Sequence, residues 1–281
     1  MSVNSEARRE VFRAVKRGVV AVALGHADQR ETIGFTTRPP SGLFDIIGTG
    51  FVVDESGIVA TAANVVEQIT GALWEAADAS QPAPEPLAVI SVFDGIDPAD
   101  GKHTMRWATQ YIRAVNVPGS RDIGFLFLNG LPDEEVLQPL VMSESSCEEG
   151  DEVAVCGFPH GLNLHRNGQI NASFASGIVS AVLPGPGCPP TQRDKLQIDT
   201  QVLDGTNGGP LFDPTTGQIL GVVVGNHNHT SRIPIGTTEK TYDLIIPLGF
   251  SFAEDIAQVK EALAAQCELG SMPKTVFDKA S

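Results

Sequence analysis

The chain has 281 residues, of which 42% are hydrophobic and 19% are charged. This is the balance of an ordinary globular protein with a sizeable core, and the length admits one large domain or two small ones. The formal net charge of −15 argues against nucleic acid as a partner, because phosphate contacts need clustered Lys and Arg. The 29 glycines and 19 prolines indicate many turns and favour a β-rich fold.

The sequence also argues against a membrane or an export signal. No run of 18 apolar residues occurs, so we expect no transmembrane helix and no membrane partner. Lys16 and Arg17 interrupt the early apolar stretch that a signal peptide would need. Basic residues near the start would suit a mitochondrial leader, but Glu6 and Glu10 argue against one. We therefore expect a cytoplasmic, intracellular protein, with a mitochondrial location as the alternative.

The cysteine and histidine spacing predicts neither a metal site nor a cofactor. The four cysteines show no CxxC pairing and no zinc spacing, which favours thiols in a reducing compartment. A disulfide between Cys147 and Cys156 is the alternative, without specific support. His227 and His229 form an HxH pair, but no Cys or acid stands at ligand spacing, so a solvated loop is favoured.

Taken in chain order, the apolar pattern predicts a helix near the N-terminus and then a series of strands. The clearest signal is a hairpin at residues 50–61, where two β-branched runs flank a short turn that ends in Gly57. A capping box of Ser251 and Glu254 predicts a helix that starts at residue 251. Strands are predicted at residues 18–25, 50–53, 58–61, 87–93, 103–116, 123–128, 151–157, 168–182, 195–202, 209–212, 218–225 and 241–246.

About six strands in each half, joined by turns, predict an all-β fold of two six-stranded antiparallel barrels. Short helices are expected at both ends of the chain. We expect an N-terminal helix at residues 1–17, a first barrel at 18–130, a connector at 131–148, a second barrel at 149–250, and a C-terminal helix and tail at 251–281.

Three segments together resemble the trypsin-like serine peptidases, and especially their HtrA/Deg branch. Residues 48–53 read Gly-Thr-Gly-Phe-Val-Val and are followed by Thr-Ala-Ala-Asn-Val-Val, in which Asn64 stands where the family has its histidine. Asp122, in Arg-Asp-Ile-Gly-Phe-Leu, matches the family's orienting aspartate. In Gly-Thr-Asn-Gly-Gly-Pro-Leu, Asn207 stands where the family has its nucleophilic serine.

Three further segments resemble the family and occur in its order, namely residues 150–159, 175–180 and 217–223. The resemblance covers roughly residues 18–250 and concerns the protease domain of the HtrA branch. It implies a double β-barrel with the site in the cleft between the barrels. Function must still be argued from the residues of the site.

The two asparagines remove the chemistry of peptide cleavage. Such cleavage needs a hydroxyl nucleophile and a base that titrates near neutral pH, and a carboxamide provides neither. Losing one triad member already costs about 10⁴–10⁶ in rate. The resemblance also implies that the backbone amides of Gly205 and Asn207 form an oxyanion hole. Because a carboxylate is costly to bury without a partner, we expect Asn64 to donate to Asp122.

The resemblance further assigns a binding groove. Gln201 stands at the position of the family's pocket floor, and a neutral side chain there predicts no preference for Arg or Lys. The strand with Val223, Val224 and Gly225 would run beside a bound peptide, and such a groove can persist without catalysis.

The sequence therefore predicts a pseudoprotease that binds a peptide or protein partner. One alternative is an active serine-type hydrolase with displaced residues, such as His160 or His165 as the base; another is a structural or regulatory subunit. Asn207-Gly208 could also form a succinimide and cleave the chain, although a tight turn is favoured. The sequence carries no signal for an oligomeric state.

Overall fold

The computed structural model describes residues 3–25, 44–96, 103–118, 121–128, 137–159, 171–184, 194–234 and 241–268. Its elements are α1 (Val3–Lys16), β1 (Val19–Gly25), β2 (Phe44–Val52), β3 (Ile58–Ala62), α2 (Ala63–Asp78), β4 (Glu85–Ile96), β5 (His103–Asn116), β6 (Ile123–Leu128), β7 (Glu152–Gly157), β8 (Ser173–Leu183), β9 (Lys195–Ile198), β10 (Pro210–Phe212), β11 (Ile219–Pro234), β12 (Thr241–Asp255) and α3 (Ile256–Glu268).

The described strands form two closed six-stranded antiparallel barrels, as the sequence predicts. The first has the order β1-β2-β3-β6-β5-β4 and the second β10-β11-β12-β9-β8-β7. Every residue of β6 is buried, and both faces of this strand are filled by neighbouring apolar side chains. A strand with two buried faces reads as a continuous apolar run, which is why β6 was predicted at its observed bounds.

A continuous apolar cluster joins the two barrels. It includes Phe51 and Phe125 of the first barrel and Phe158 and Phe212 of the second, all of which are buried. Each barrel also has an apolar cluster of its own. The barrels therefore pack on each other through core side chains, and this packing determines where their loops meet.

The helix α2 was not predicted, although its sequence carries a helical signal. Val65, Val66 and Ile69 are buried against the first barrel, at the spacing of one helical face. The helix starts at Ala63, directly after β3. It therefore holds Asn64 at the end of that strand.

The predicted capping box at the start of the last helix is wrong. Ser251 lies in β12, where its hydroxyl donates to the Thr200 carbonyl at 2.9 Å and accepts from the Val202 amide at 2.9 Å. The helix α3 begins five residues later, at Ile256. Asp255 caps it by accepting from the Ala257 amide at 2.9 Å. The second barrel thus extends to residue 255, because pairing with β9 holds residues 251–254 in the sheet.

The N-terminal helix packs on the second barrel, although it precedes the first one in the chain. The Phe12 ring lies 4.6 Å from the Phe174 ring and 5.3 Å from the Phe212 ring, measured between centroids. Among the described residues, no helix combines the length and the apolar character needed to cross a membrane.

Candidate active site

Asn64 lies at the junction of β3 and α2. Its side chain is half-buried, and its Oδ1 atom is buried without a hydrogen-bond partner. The amide of the preceding residue, Ala63, donates to the carbonyl of Asp122 at 3.0 Å. This backbone contact sets positions 64 and 122 side by side, as the resemblance implies.

The turn around Asn207 lies against the same strand end. A Cβ atom at Gly208 would overlap the Thr61 hydroxyl and lie 2.9 Å from the Ala62 nitrogen. The Asn207 carbonyl accepts from the Thr49 amide of the first barrel at 2.9 Å. The fold therefore brings the segments of all three triad-like positions together at the interface of the barrels.

The conformation of this turn depends on glycine. Gly205 has a φ of +91° and Gly208 a φ of +86°, a region that other residues rarely adopt. The Gly208 amide donates to the Val223 carbonyl at 2.7 Å, and the Gly209 amide to the Thr206 carbonyl at 2.9 Å. Thr206 is buried, and its methyl group packs against Gly157.

The two amides assigned to the oxyanion hole have no protein acceptor in the described part of the chain. The Gly205 and Asn207 N–H groups donate to none of its atoms, although both carbonyls are hydrogen-bonded. Both residues are only partly buried, so these donors are accessible and are suited to an incoming oxygen atom.

The side chain of Asp122 differs from the expectation. It is 55% exposed, and it accepts a hydrogen bond from the ammonium group of Lys195 on β9, not from Asn64. Lys195 also lies 3.5 Å from the carboxylate of Glu254, which is 2% exposed. The burial penalty that led us to expect an Asn64 donor does not arise, because the carboxylate lies near solvent beside a cation.

The pKa values of Lys195 and Glu254 both depart from their ordinary values. Burial lowers the pKa of Lys195, but its hydrogen bond and charge interaction with Asp122, together with Glu254, outweigh burial and raise that pKa above its ordinary value. Burial raises the pKa of Glu254, and the charge of Lys195 offsets part of this rise. Arg121 adds ion pairs to Asp194 at 3.3 Å and to Glu261 at 3.4 Å.

Beyond Val222, one edge of the strand assigned to the groove pairs with no other described strand. Both main-chain groups of Val223 bond to the turn around Asn207. Its amide donates to the Gly209 carbonyl at 2.9 Å, and its carbonyl accepts from the Gly208 amide. Val224 forms a bulge, since pairing with β12 shifts between Val223 and Gly225. On the opposite edge β10 pairs only up to Val222, and no strand among the described residues continues beyond it.

Two details concern the size of this groove. A Cβ atom at Gly225 would meet nothing within 4 Å, so the space beside this residue is open. The Gln201 side chain is exposed, and its role as a pocket floor remains a prediction.

No group of three metal-ligating side chains occurs among the described residues. The side chains of His227 and His229 lie outside the described part, as do His160, His165 and Cys188. Cys147 and Cys156 are buried thiols that are not joined by a disulfide. Burial raises the pKa of Cys156, so its thiol stays protonated and unreactive beside the site.

Three residues of the site escaped the sequence reasoning, namely Thr49, Lys195 and Glu254. Thr49 is in the motif at residues 48–53, but its contacts with the 207 turn join residues more than 150 positions apart. Lys195 and Glu254 stand opposite each other in the β9–β12 pairing. Residues that stand opposite each other in a strand pair lie in contact, but the sequence alone does not give the register of β9 against β12.

The double-barrel fold and the convergence of the three motifs are typical of the trypsin-like peptidase class. Residues 48–222 match the family model described as a trypsin-like peptidase domain, and the chain belongs to this family. Over 115 residues it is 36% identical to the serine protease Rv3671c of Mycobacterium tuberculosis, covering 40% of this chain and 26% of that protein.

A second relative matches over a longer range. It is the probable periplasmic serine endoprotease DegP-like of Brucella abortus, which is 26% identical over 209 residues, 72% of this chain and 33% of that protein. The chain thus spans about a quarter to a third of the length of these curated relatives.

Solved structures share the fold. The active form of the Rv3671c protease has a TM-score of 0.53 and 22% identity, covering 92% of this chain and 85% of that one. Deg5 has a TM-score of 0.53 and 18% identity, covering 97% and 99%. The HtrA-type protease AlgW with a decapeptide has a TM-score of 0.55 and 15% identity, covering 94% and 68%.

Proposed function

We propose that this chain is a pseudoprotease, which binds an extended peptide or protein segment in the cleft of a trypsin-like scaffold without cleaving it. The observation that carries this proposal is the pair Asn64 and Asn207, which replaces the base and the nucleophile in motifs that still meet at the barrel interface. Neither carboxamide takes up a proton near neutral pH or supplies a hydroxyl group.

Retention of the binding parts supports this proposal. The amides of Gly205 and Asn207 remain without acceptors among the described residues, so they can donate to a carbonyl oxygen of a bound segment. The edge of β11 beyond Val223 offers main-chain groups to an added strand. A segment bound in this way would be recognised through its backbone, with its side chains directed alternately toward and away from the protein.

The absence of cleavage is tested first. The native chain is incubated with a fluorophosphonate probe and with a broad library of fluorogenic peptides, beside an active trypsin-like protease as a positive control. We expect neither labelling nor turnover. Turnover that disappears in Asp122→Ala would instead support the alternative of a hydrolase with displaced residues, and the labelled peptide would identify its nucleophile.

Binding is tested on peptides selected from a display library by the native chain. Main-chain recognition predicts that N-methylation at alternate residues of a selected peptide weakens binding, because only those amides face β11. Methylation at the intervening residues serves as the matched control. Equal effects at every position, or none, would exclude an added strand.

The partner and the location belong to the same proposal. We propose a peptide or protein partner inside the cell, and neither nucleic acid nor a membrane. The alternative of a structural or regulatory subunit predicts co-purification with a complex at constant stoichiometry. It also predicts that the complex persists when a selected groove peptide is added in excess.

A further inference from the structure

Asn64 and Asn207 are not the only departures from a working site, because the carboxylate at the aspartate position also has the wrong partner. In an active triad this carboxylate orients the imidazole and stabilises its charged form. Here the backbone of Asp122 is in place, since its carbonyl accepts from the Ala63 amide at 3.0 Å. Its side chain, however, is 55% exposed and bonded to Lys195.

Lys195 has two acidic partners, Asp122 and Glu254. It stands opposite Glu254 in the β9–β12 pairing, and its ammonium nitrogen lies 3.5 Å from the Glu254 carboxylate. Glu254 is 2% exposed, so its negative charge depends on this cation for compensation. The buried carboxylate thus keeps Lys195 at the barrel interface, where it also holds Asp122.

We propose that Lys195 is a third block on catalysis, a positioning residue that holds the Asp122 carboxylate away from position 64. This inference rests on the proposed function, in which the site is inactive, and it adds the partner of Asp122 to the two asparagines as a cause of that inactivity. It implies that Asn64→His with Asn207→Ser is not sufficient to restore a triad.

The first test starts from the double variant Asn64→His/Asn207→Ser. In this background Lys195→Met is combined with Glu254→Gln, so that no buried carboxylate is left without a cation. Lys260→Met with Glu144→Gln is the matched control, because this Lys–Glu pair lies 3.1 Å apart and Lys260 is 31% exposed, close to the 34% of Lys195. The rate of fluorophosphonate labelling at position 207 is then measured by mass spectrometry.

We expect labelling to become at least about tenfold faster after the change at Lys195 and Glu254, and to stay unchanged in the control. Tenfold is a small part of the roughly 10⁴-fold that a working triad loses without its aspartate. Lys195→Arg keeps the cation and should leave the rate as slow as in the double variant. Urea unfolding of each variant verifies that the fold is retained.

The second test needs no nucleophile. The pKa of the imidazole introduced by Asn64→His is measured by NMR, with and without Lys195→Met/Glu254→Gln. Release of Asp122 should raise this pKa by about one unit or more, because a nearby carboxylate favours the charged imidazole. Lys195→Gln/Glu254→Gln, which keeps polar side chains at both positions, gives the same comparison if Lys195→Met/Glu254→Gln unfolds the chain.

The inference is overturned if the change at Lys195 and Glu254 leaves both the labelling rate and the imidazole pKa unaltered. It is also overturned if the double variant already shows the fast rate and the raised pKa with Lys195 in place. A different observation would refute the proposed function itself, namely peptide turnover by the native chain, in which Asn64 and Asn207 are both present.

Discussion

The hydroxyl of Thr49 donates a hydrogen bond of 2.6 Å to the carbonyl of Gly205, across the interface of the two barrels. The same hydroxyl accepts from the amide of Phe158 at 3.1 Å. Thr49 is fully buried, so one side chain of the first barrel satisfies two main-chain groups of the second. Through this contact the first barrel holds the turn of Asn207 in its observed conformation.

Thr49→Val should therefore destabilise the protein by about 1–3 kcal/mol, because a buried amide and a partly buried carbonyl lose their partner at nearly constant side-chain volume. The measurement is urea unfolding followed by circular dichroism. Thr70→Val is the matched control, since the Thr70 hydroxyl bonds only to carbonyls of its own helix. Equal effects of the two substitutions would contradict the bridging role.

Asn207-Gly208 should deamidate slowly in the folded protein. Succinimide formation requires the Gly208 nitrogen to attack the Asn207 side chain, but this nitrogen donates to the Val223 carbonyl at 2.7 Å. Breaking a hydrogen bond of about 1 kcal/mol alone slows the attack roughly fivefold. Mass spectrometry of the peptide with Asn207, after incubation with and without urea, measures the ratio of the deamidation rates in the unfolded and the folded chain. A faster reaction in the folded chain would revive the self-processing alternative.

The pH dependence of stability should carry a signature of Glu254. Burial raises its pKa above the ordinary value of 4.5; the charge of Lys195 lowers it, that of Asp122 raises it, and that of Arg121 lowers it. Between 4.5 and the raised pKa the folded chain binds more protons than the unfolded chain, so this group's stabilising contribution is lost as the pH rises through that window.

Glu254→Gln removes this titration, and its free energy of unfolding should depend less on pH in that window than that of the native chain. Urea unfolding at a series of pH values from 4 to about 7 tests the difference. Glu144→Gln controls for the loss of one negative charge, because the Glu144 side chain is 94% exposed. Parallel curves for Glu254→Gln and the native chain would contradict the prediction.

Phe12→Ala should destabilise the chain by about 2–4 kcal/mol, somewhat less than for a fully buried phenylalanine. The Phe12 ring packs on Phe174 and Phe212 of the second barrel, at 4.6 and 5.3 Å between centroids. The measurement is thermal or urea unfolding. Glu10→Ala, on an exposed position of the same helix, is the control. An effect no larger than that of the control would mean that α1 does not stabilise the barrel.

Much of the fold was predictable from local patterns. The apolar run of β6 and the β-branched runs of the first hairpin indicate strands whatever their neighbours are. The sequence of α2 also carries a helical signal, since Val65, Val66 and Ile69 share one helical face, although a strand motif leads directly into it. Ser251 and Glu254 show the reverse case, in which a local helix signal gave way to pairing with β9.

Local sequence patterns predicted the two barrels and identified asparagine at positions 64 and 207, because apolar periodicity and the identity of a side chain are local properties. Tertiary structure alone decided which partner Asp122 takes, since Lys195 lies 73 positions away and meets it only when the barrels pack together. It also decided that Asp122 stays near solvent. A carboxylate pairs with the cation that the fold brings within reach, and no local pattern encodes that distance.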